Sequence, residues 1–284
     1  MADDVTPLAS LSLTHVYYNP ADPLSTLSAF LSLLPQALMV VYATLLWSTR
    51  EAEVLLMLLG QLACEALNFA LKRLIKEERP SHVLVGKGYG MPSSHAQFVV
   101  YWAVALSLFL TVRHRPRAQA GFAGGGRAES GGAKQGKGEP ALRDVHRAYK
   151  EGGLAAASVS IEAYAHAPLT LTQRAMVSAS VMVVAALVAW SRVYLGYHTV
   201  RQVLAGCVAG AGCGAAWFAV TYMLRETGWL AWALELPPAR WFRIRDLVVA
   251  EDLCQAGWEK WEERRRLALE QERKKGTLKG KKGQ

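Results

Sequence analysis

Charge is scarce in this 284-residue chain: Asp, Glu, Lys and Arg make up 19% of residues, against roughly a quarter in soluble domains. Cysteine is scarce as well. Of the four cysteines, Cys64, Cys207 and Cys213 lie in apolar runs and Cys254 in a charged tail. No spacing among them makes a disulfide framework or a zinc site. The first long apolar run has neither a basic stretch before it nor a small-residue cleavage site, which excludes a signal peptide and predicts a retained span. With 52% hydrophobic residues, a chain disordered over most of its length is excluded too.

What the chain does have is long uncharged runs, and mean hydropathy is +0.13. Thr26–Thr49, Val54–Leu71, Ala96–Val112, Ala175–Ser191 and Gln202–Leu224 each approach the roughly 17–25 residues that cross a bilayer as a helix. Five such runs predict an all-α, polytopic membrane bundle, with a sixth segment near Trp229–Leu236 left open. Gly206, Gly210 and Gly214 recur at every fourth position of the last run, a pattern that lets membrane helices approach closely. The expected organisation is an N-terminal segment over 1–25, three spans over 26–113, a Gly-rich insertion over 114–173 with no core of its own, two spans over 174–224, and a basic tail over 225–284. The insertion is expected to be dispensable for turnover.

The net charge of +9 sits unevenly. Arg50, the Arg113–Arg174 loop and the tail from Arg225 carry 25 of the 32 Lys and Arg residues. That face is expected to be cytosolic, and the N-terminus and the two short loops lumenal or exterior. A tail beside anionic lipid accounts for the basic residues. No nucleic-acid motif accompanies them.

The seven basic residues on the sparse face are not scattered. The second span ends in Lys72 and leads to Arg79, the third begins after Ser93-Ser94-His95, and the fourth ends at Arg192, with His198 opening the fifth. Helix ends on one face converge, so Lys72, Arg79, Ser93, His95, Arg192 and His198 are expected to share one pocket. Singly, each has a plainer reading: basic residues snorkel to the interface and Ser-Ser-His caps a helix. Together they suit phosphoryl transfer. Three cations neutralise phosphate oxygens, a helix N-terminus favours an anion, and two imidazoles supply nucleophile and acid. No carboxylate cluster on this face would hold Mg²⁺, so neither a metal nor another cofactor is expected. By spacing alone, Gln61, Glu65, Asn68 and Lys72 form one polar stripe in the second span. Asn68 and Glu65 are expected to support Lys72, the alternative being a structural helix–helix hydrogen bond.

Lys72-x6-Arg79-Pro80, Pro92-Ser-Ser-His95 and Ser191-Arg192-x5-His198 resemble the three-part signature of the type 2 phosphatidic acid phosphatase superfamily. The flanking words resemble its dolichyl-diphosphatases: Leu13-Thr-His-Val16, Tyr89 to Phe98, Ser191 to Thr199 and Ile244-Arg-Asp246. The likeness covers roughly residues 11–113 and 172–250 and omits the insertion. It implies that His198 attacks phosphorus and His95 protonates the leaving oxygen. Lys72, Arg79, Ser93, Arg192 and the Ser94 backbone would bind the phosphoryl oxygens. It further implies a polyisoprenyl diphosphate substrate, lipid surroundings and an endoplasmic reticulum membrane, with the active site lumenal, the tail cytosolic and a role in recycling the carrier of protein N-glycosylation. Two departures stand out. The superfamily usually has six spans, and its third motif usually ends in Asp where this chain has Gln202, which orients an imidazole without neutralising it. Within the enzyme class a broad lipid phosphate phosphatase stays open, with a headgroup transferase behind it. A catalytically silent scaffold is the reading from another class.

Overall fold

A computed structural model describes residues 9–11, 16–80, 88–114, 146–154, 169–249 and most positions from 257 to 271. The Gly-rich run Gly121–Gly138, the Leu13–His15 part of one flanking word and the basic terminus lie outside the described residues. The chain divides into two units. One holds residues 1–114 and 171–246. The other holds 115–170 and 247–284 and contributes helical segments at 146–154 and within 257–271.

The first unit opens on a small antiparallel hairpin, β1 (Ala9–Leu11) against β2 (Val16–Tyr18), with Ser10 opposite Tyr17. Asp22 then starts α1 (Pro23–Leu31): its carboxylate accepts from the Leu24 N–H at 3.0 Å, and Pro23 brings the helical φ with it. After a break at Ser32–Leu33, α2 (Leu34–Thr49) completes the first span and ends where Arg50 turns left-handed at φ 56°. The second span is α3 (Ala52–Ile75). The third is α4 (Ser94–Leu108), prolonged by a π-helical turn, Phe109–Arg113. The fourth and fifth are α5 (Leu171–Tyr194) and α6 (Val200–Glu226). Two short helices follow, α7 (Trp229–Glu235) and α8 (Pro237–Trp241).

Among the described residues five helices are long and apolar enough to span a bilayer. At 1.5 Å per residue the seven residues of α7 rise about 10 Å, a third of the hydrocarbon thickness. Large apolar side chains, among them Val40, Leu62, Phe69, Met182 and Val208, point outward. In water that surface would be a liability; in lipid it is the ordinary exterior of a bundle.

The central helix is α4, packed against α3, α5 and α6. Its Phe98, Val99, Val100 and Ala103 meet Leu38, Ala185 and Val188 in the main core. The approach of α6 is backbone-close. A methyl group at Gly206 would lie 2.6 Å from the Ser93 carbonyl oxygen, and one at Gly210 2.4 Å from that of Gln97. The glycine stripe is thus the seam along which α6 docks on α4.

The bundle's two ends differ in chemistry. At one end Glu53 accepts from Arg113 at 2.5 Å and from Arg225 at 2.6 Å, and Arg225 also pairs with Asp246. Arg113 adds a bond to the Thr221 hydroxyl at 2.8 Å, and Arg245 pairs with buried Glu51 at 2.8 Å. Ile244-Arg245-Asp246 therefore ties the chain after the fifth span to the α2–α3 turn. The other end carries the basic residues and histidines of the three motifs.

Candidate active site

The site is assembled from helix ends. Lys72 is in the last turn of α3, and Arg79 follows in the loop; both are half-buried. Ser93 is at the N-cap of α4, Ser94 and His95 open that helix, Arg192 closes α5, and His198 sits in the turn before α6. Ser93, Arg192 and His198 are buried. These groups do converge. Arg192, Arg79 and Lys72 all act on the charge of His198, and Arg192, His198 and Lys72 on that of His95.

Three side chains of the site carry buried polar atoms without a hydrogen-bond partner. Ser93 holds a capping position yet makes no capping bond, and its fully buried hydroxyl has no hydrogen-bond partner. Arg192 lies over the Tyr197 ring at 4.3 Å, while its Nε and Nη1 are buried and unpartnered. Arg79 Nε is in the same condition. A buried donor without a partner costs about 1–3 kcal/mol, more when charged. An anion with several oxygens would satisfy all three.

The nucleophile candidate is held by a helix cap. Thr199 and Gln202 form a capping box at the start of α6: the Gln202 N–H donates to Thr199 Oγ1 at 3.3 Å, and the Thr199 N–H to Gln202 Oε1 at 3.2 Å. The same Oε1 is 3.2 Å from His198 Nδ1. A carbonyl oxygen only accepts, so Nδ1 carries the proton and Nε2 keeps a free lone pair. Burial first, then Arg192 and Arg79, push the His198 imidazole down to about 3, with Lys72 adding to the effect. The ring is therefore neutral at physiological pH and able to attack.

Around this centre, Tyr17 donates its N–H to the Tyr197 hydroxyl at 2.8 Å, and the Tyr194 hydroxyl donates to Asp22 at 2.7 Å. The N-terminal segment thereby packs on the turn that carries His198. In the α3 stripe, Gln61 and Asn68 are buried and Glu65 interacts electrostatically with Lys72. The Asn68 amide donates to Gln97 Oε1 at 2.7 Å, and Gln97 donates to the Cys64 carbonyl at 2.8 Å. Asn68 thus makes the helix–helix bond that the spacing left as an alternative. Two residues at the site escape sequence reasoning, Gln97 and Glu77, which accepts from Gln202 Nε2 at 3.0 Å. Glu77 lies in a Lys-Glu-Glu-Arg run that reads as solvated charge; a polar residue inside an apolar span was the available signal for Gln97. Among the described residues no group of three or more His, Cys, Asp or Glu side chains is placed to hold a metal ion.

Comparison with known proteins gives the chain a family. The PAP2 superfamily model matches residues 53–226, a stretch that contains all three motifs. The chain is 57% identical to a Neurospora crassa protein named "Putative dolichyldiphosphatase", over 98% of this chain and 100% of that one. It is 31% identical to human dolichyldiphosphatase 1 over 94% and 92% of the two chains, and 27% identical to the Saccharomyces cerevisiae dolichyldiphosphatase over 82% and 79%. No solved structure matches. On these grounds, and with the three motifs gathered at one end of its bundle, the chain belongs to the PAP2 superfamily and to the dolichyldiphosphatases within it.

Proposed function

We propose that the protein hydrolyses dolichyl diphosphate to dolichyl phosphate and inorganic phosphate at the lumenal face of the endoplasmic reticulum membrane, returning the carrier for protein N-glycosylation. The observation that carries the phosphatase reading is the set of buried, unpartnered donors (Ser93 Oγ, Arg192 Nε and Nη1, Arg79 Nε) together with an imidazole whose Nδ1 is held by Gln202 Oε1, which leaves Nε2 the unprotonated nitrogen. The choice of substrate rests on the names of the relatives.

In this mechanism Lys72, Arg79, Arg192, Ser93 and the Ser94 N–H hold the terminal phosphoryl oxygens. His198 Nε2 attacks the terminal phosphorus. The P–N bond forms as the bond to the bridging oxygen breaks, and His95, protonated once the diphosphate's negative charge offsets Arg192 and Lys72, gives that oxygen its proton, releasing dolichyl phosphate. Water then attacks the phosphohistidine, His95 takes a proton from it, and cleavage of P–N frees phosphate and His198. The apolar tail stays in lipid beside the spans; only the headgroup enters.

The test is phosphate release by the purified chain in detergent with excess chelator, from dolichyl diphosphate, dolichyl phosphate and phosphatidic acid in parallel. We expect the diphosphate to be preferred, chelator to leave the rate unchanged, and His198→Ala to lower it at least 10³-fold, the scale on which loss of a covalent nucleophile acts. Equal turnover of phosphatidic acid would make the protein a general lipid phosphatase. No release from any substrate by folded protein would leave a scaffold.

A further inference from the structure

The geometry points to Glu77 as a positioning residue for His198, acting through Gln202; this rests on the reading of His198 as nucleophile. A glutamine between an imidazole and a carboxylate could be an accident of packing. Here the four hydrogen bonds of its amide settle its orientation. Gln202 Nε2 sits 3.0 Å from Glu77 Oε1 and 2.8 Å from the Glu78 carbonyl oxygen, both pure acceptors. Gln202 Oε1 sits 3.2 Å from the Thr199 N–H and 3.2 Å from His198 Nδ1. Rotating the amide by half a turn would set oxygen against two acceptors and nitrogen against a donor, so only one orientation satisfies the network.

Gln202 is fully buried, where such a network is strong and a broken one expensive. The frame around it is rigid: the Ser93 N–H donates to the Gln202 carbonyl at 3.1 Å, and the Gly90 N–H to the Glu77 carbonyl at 2.6 Å. The loop after α3, the start of α4 and the start of α6 are thereby joined at one point.

The chemical consequence follows from charge. His198 faces Lys72 from α3, Arg79 from the loop, Arg192 from α5 and His95 from α4, all basic groups. When Nε2 attacks phosphorus the ring becomes cationic, and those neighbours oppose it except where substrate oxygens offset them. Gln202 supplies an oriented dipole at Nδ1. With its amide polarised by the Glu77 carboxylate, it transmits part of a negative charge to Nδ1–H. Glu77 thus supplies, one residue removed, the carboxylate that this chain lacks at position 202.

The experiment is a double-mutant cycle on the full chain in detergent, with turnover of dolichyl diphosphate read as kcat and KM. Glu77→Ala should lower kcat about 10–100-fold, the scale measured for outer hydrogen-bond partners of metal-bound histidines, with KM within twofold. In a Gln202→Ala background the same substitution should cost less than twofold, because the route is already cut. The isosteric Glu77→Gln keeps an acceptor for the amide but not the charge. It should lower kcat less than Glu77→Ala and move the acid limb of the kcat–pH profile to lower pH, since an imidazolium without the carboxylate loses its proton more readily. Additive losses in the cycle, or Glu77→Ala within twofold of the parent with an unmoved acid limb, would overturn the assignment. A readout that needs no turnover separates this from failure of the substrate reading. In ¹⁵N-histidine-labelled protein in liposomes, with His198→Asn locating the signal, the Nδ1–H tautomer should dominate and give way to a mixture in Glu77→Ala. A tautomer unchanged by Glu77→Ala would sink the proposal even in an active enzyme. A shifted one would sustain it in a protein that ignores dolichyl diphosphate.

Discussion

Ser93 and His198 are both hydrogen-bonded to Gln202 and are read very differently from sequence. Ser93 reads as a helix cap and occupies the cap position, but its hydroxyl makes no capping bond. His198 looks like a nucleophile, and the structure supplies the physical condition for that, an imidazole kept neutral. The condition has a price in stability that pH reveals. The folded value is pushed down to about 3, against roughly 6.5 in the unfolded chain. Between those values the unfolded state holds a proton that the folded state does not. Stability is therefore full above about pH 6.5 and falls as pH drops toward 3, by about 1.4 kcal/mol per pH unit for this one group. Denaturation in detergent at pH 6.5, 5.5 and 4.5 should show a shallower decline for His198→Gln than for the parent. Parallel declines would mean that His198 is already protonated in the folded protein. The basic and histidine residues of the site were legible because each sits in a short motif at a span end. Glu77 was not, because its role depends on Gln202, 125 positions away.

The five spans were legible from uncharged runs, yet every run gave too short a helix. Val54–Leu71 extends to Ala52–Ile75 and Ala175–Ser191 to Leu171–Tyr194. Hydropathy weakens at terminal charges, whereas these helices carry charges in their end turns: Glu53 and Arg113 neutralise one another at one end, and Lys72 and Arg192 lie at the candidate site's end. The break at Ser32–Leu33 did have a signal in Pro35, which has no N–H to continue the first helix and sits in the first turn of the second. The glycine stripe was read correctly as packing, and its spacing can be tested helix face by helix face. A methyl group at Gly210 would sit 2.4 Å from the Gln97 carbonyl oxygen, whereas one at Gly212 would meet nothing within 4 Å. Gly210→Ala should therefore force α6 off α4 at about 1–3 kcal/mol, the usual scale of overpacking. Gly212→Ala should be neutral or stabilising by up to about 1 kcal/mol through helix propensity. Thermal unfolding in one detergent gives both values, and equal shifts for the two variants would refute the seam.

At the scale of the molecule, the connectivity fixes which features share a membrane face. The first span runs from the hairpin side to Arg50 and α3 returns, so the N-terminal segment and the three motifs lie at one end of the bundle. The Glu53–Arg113–Arg225–Asp246 network lies at the other. Glu53 and Lys72 are separated by nineteen helical steps, about 29 Å at 1.5 Å per residue, close to a hydrocarbon thickness. Arg113 and Asp246, past which the insertion and the tail continue in sequence, belong to the network end, and Arg50, the Arg113–Arg174 loop and the tail from Arg225 carry 25 of the chain's 32 basic residues. Positive charge is retained on the cytosolic side, so the network end should be cytosolic and the phosphate site lumenal. The chain allows a clean test, because its two asparagines, Asn19 and Asn68, precede Pro-Ala and Phe-Ala and neither is a glycosylation acceptor. An Asn-Gly-Thr acceptor added ahead of Met1 should be glycosylated in microsomes and shift back in mobility on enzymatic deglycosylation. The same acceptor replacing Gly124–Gly126 should remain unmodified. The reverse pattern would turn the bundle over and place the phosphate site in the cytosol, where a diphosphate released in the lumen could not reach it without first crossing the bilayer.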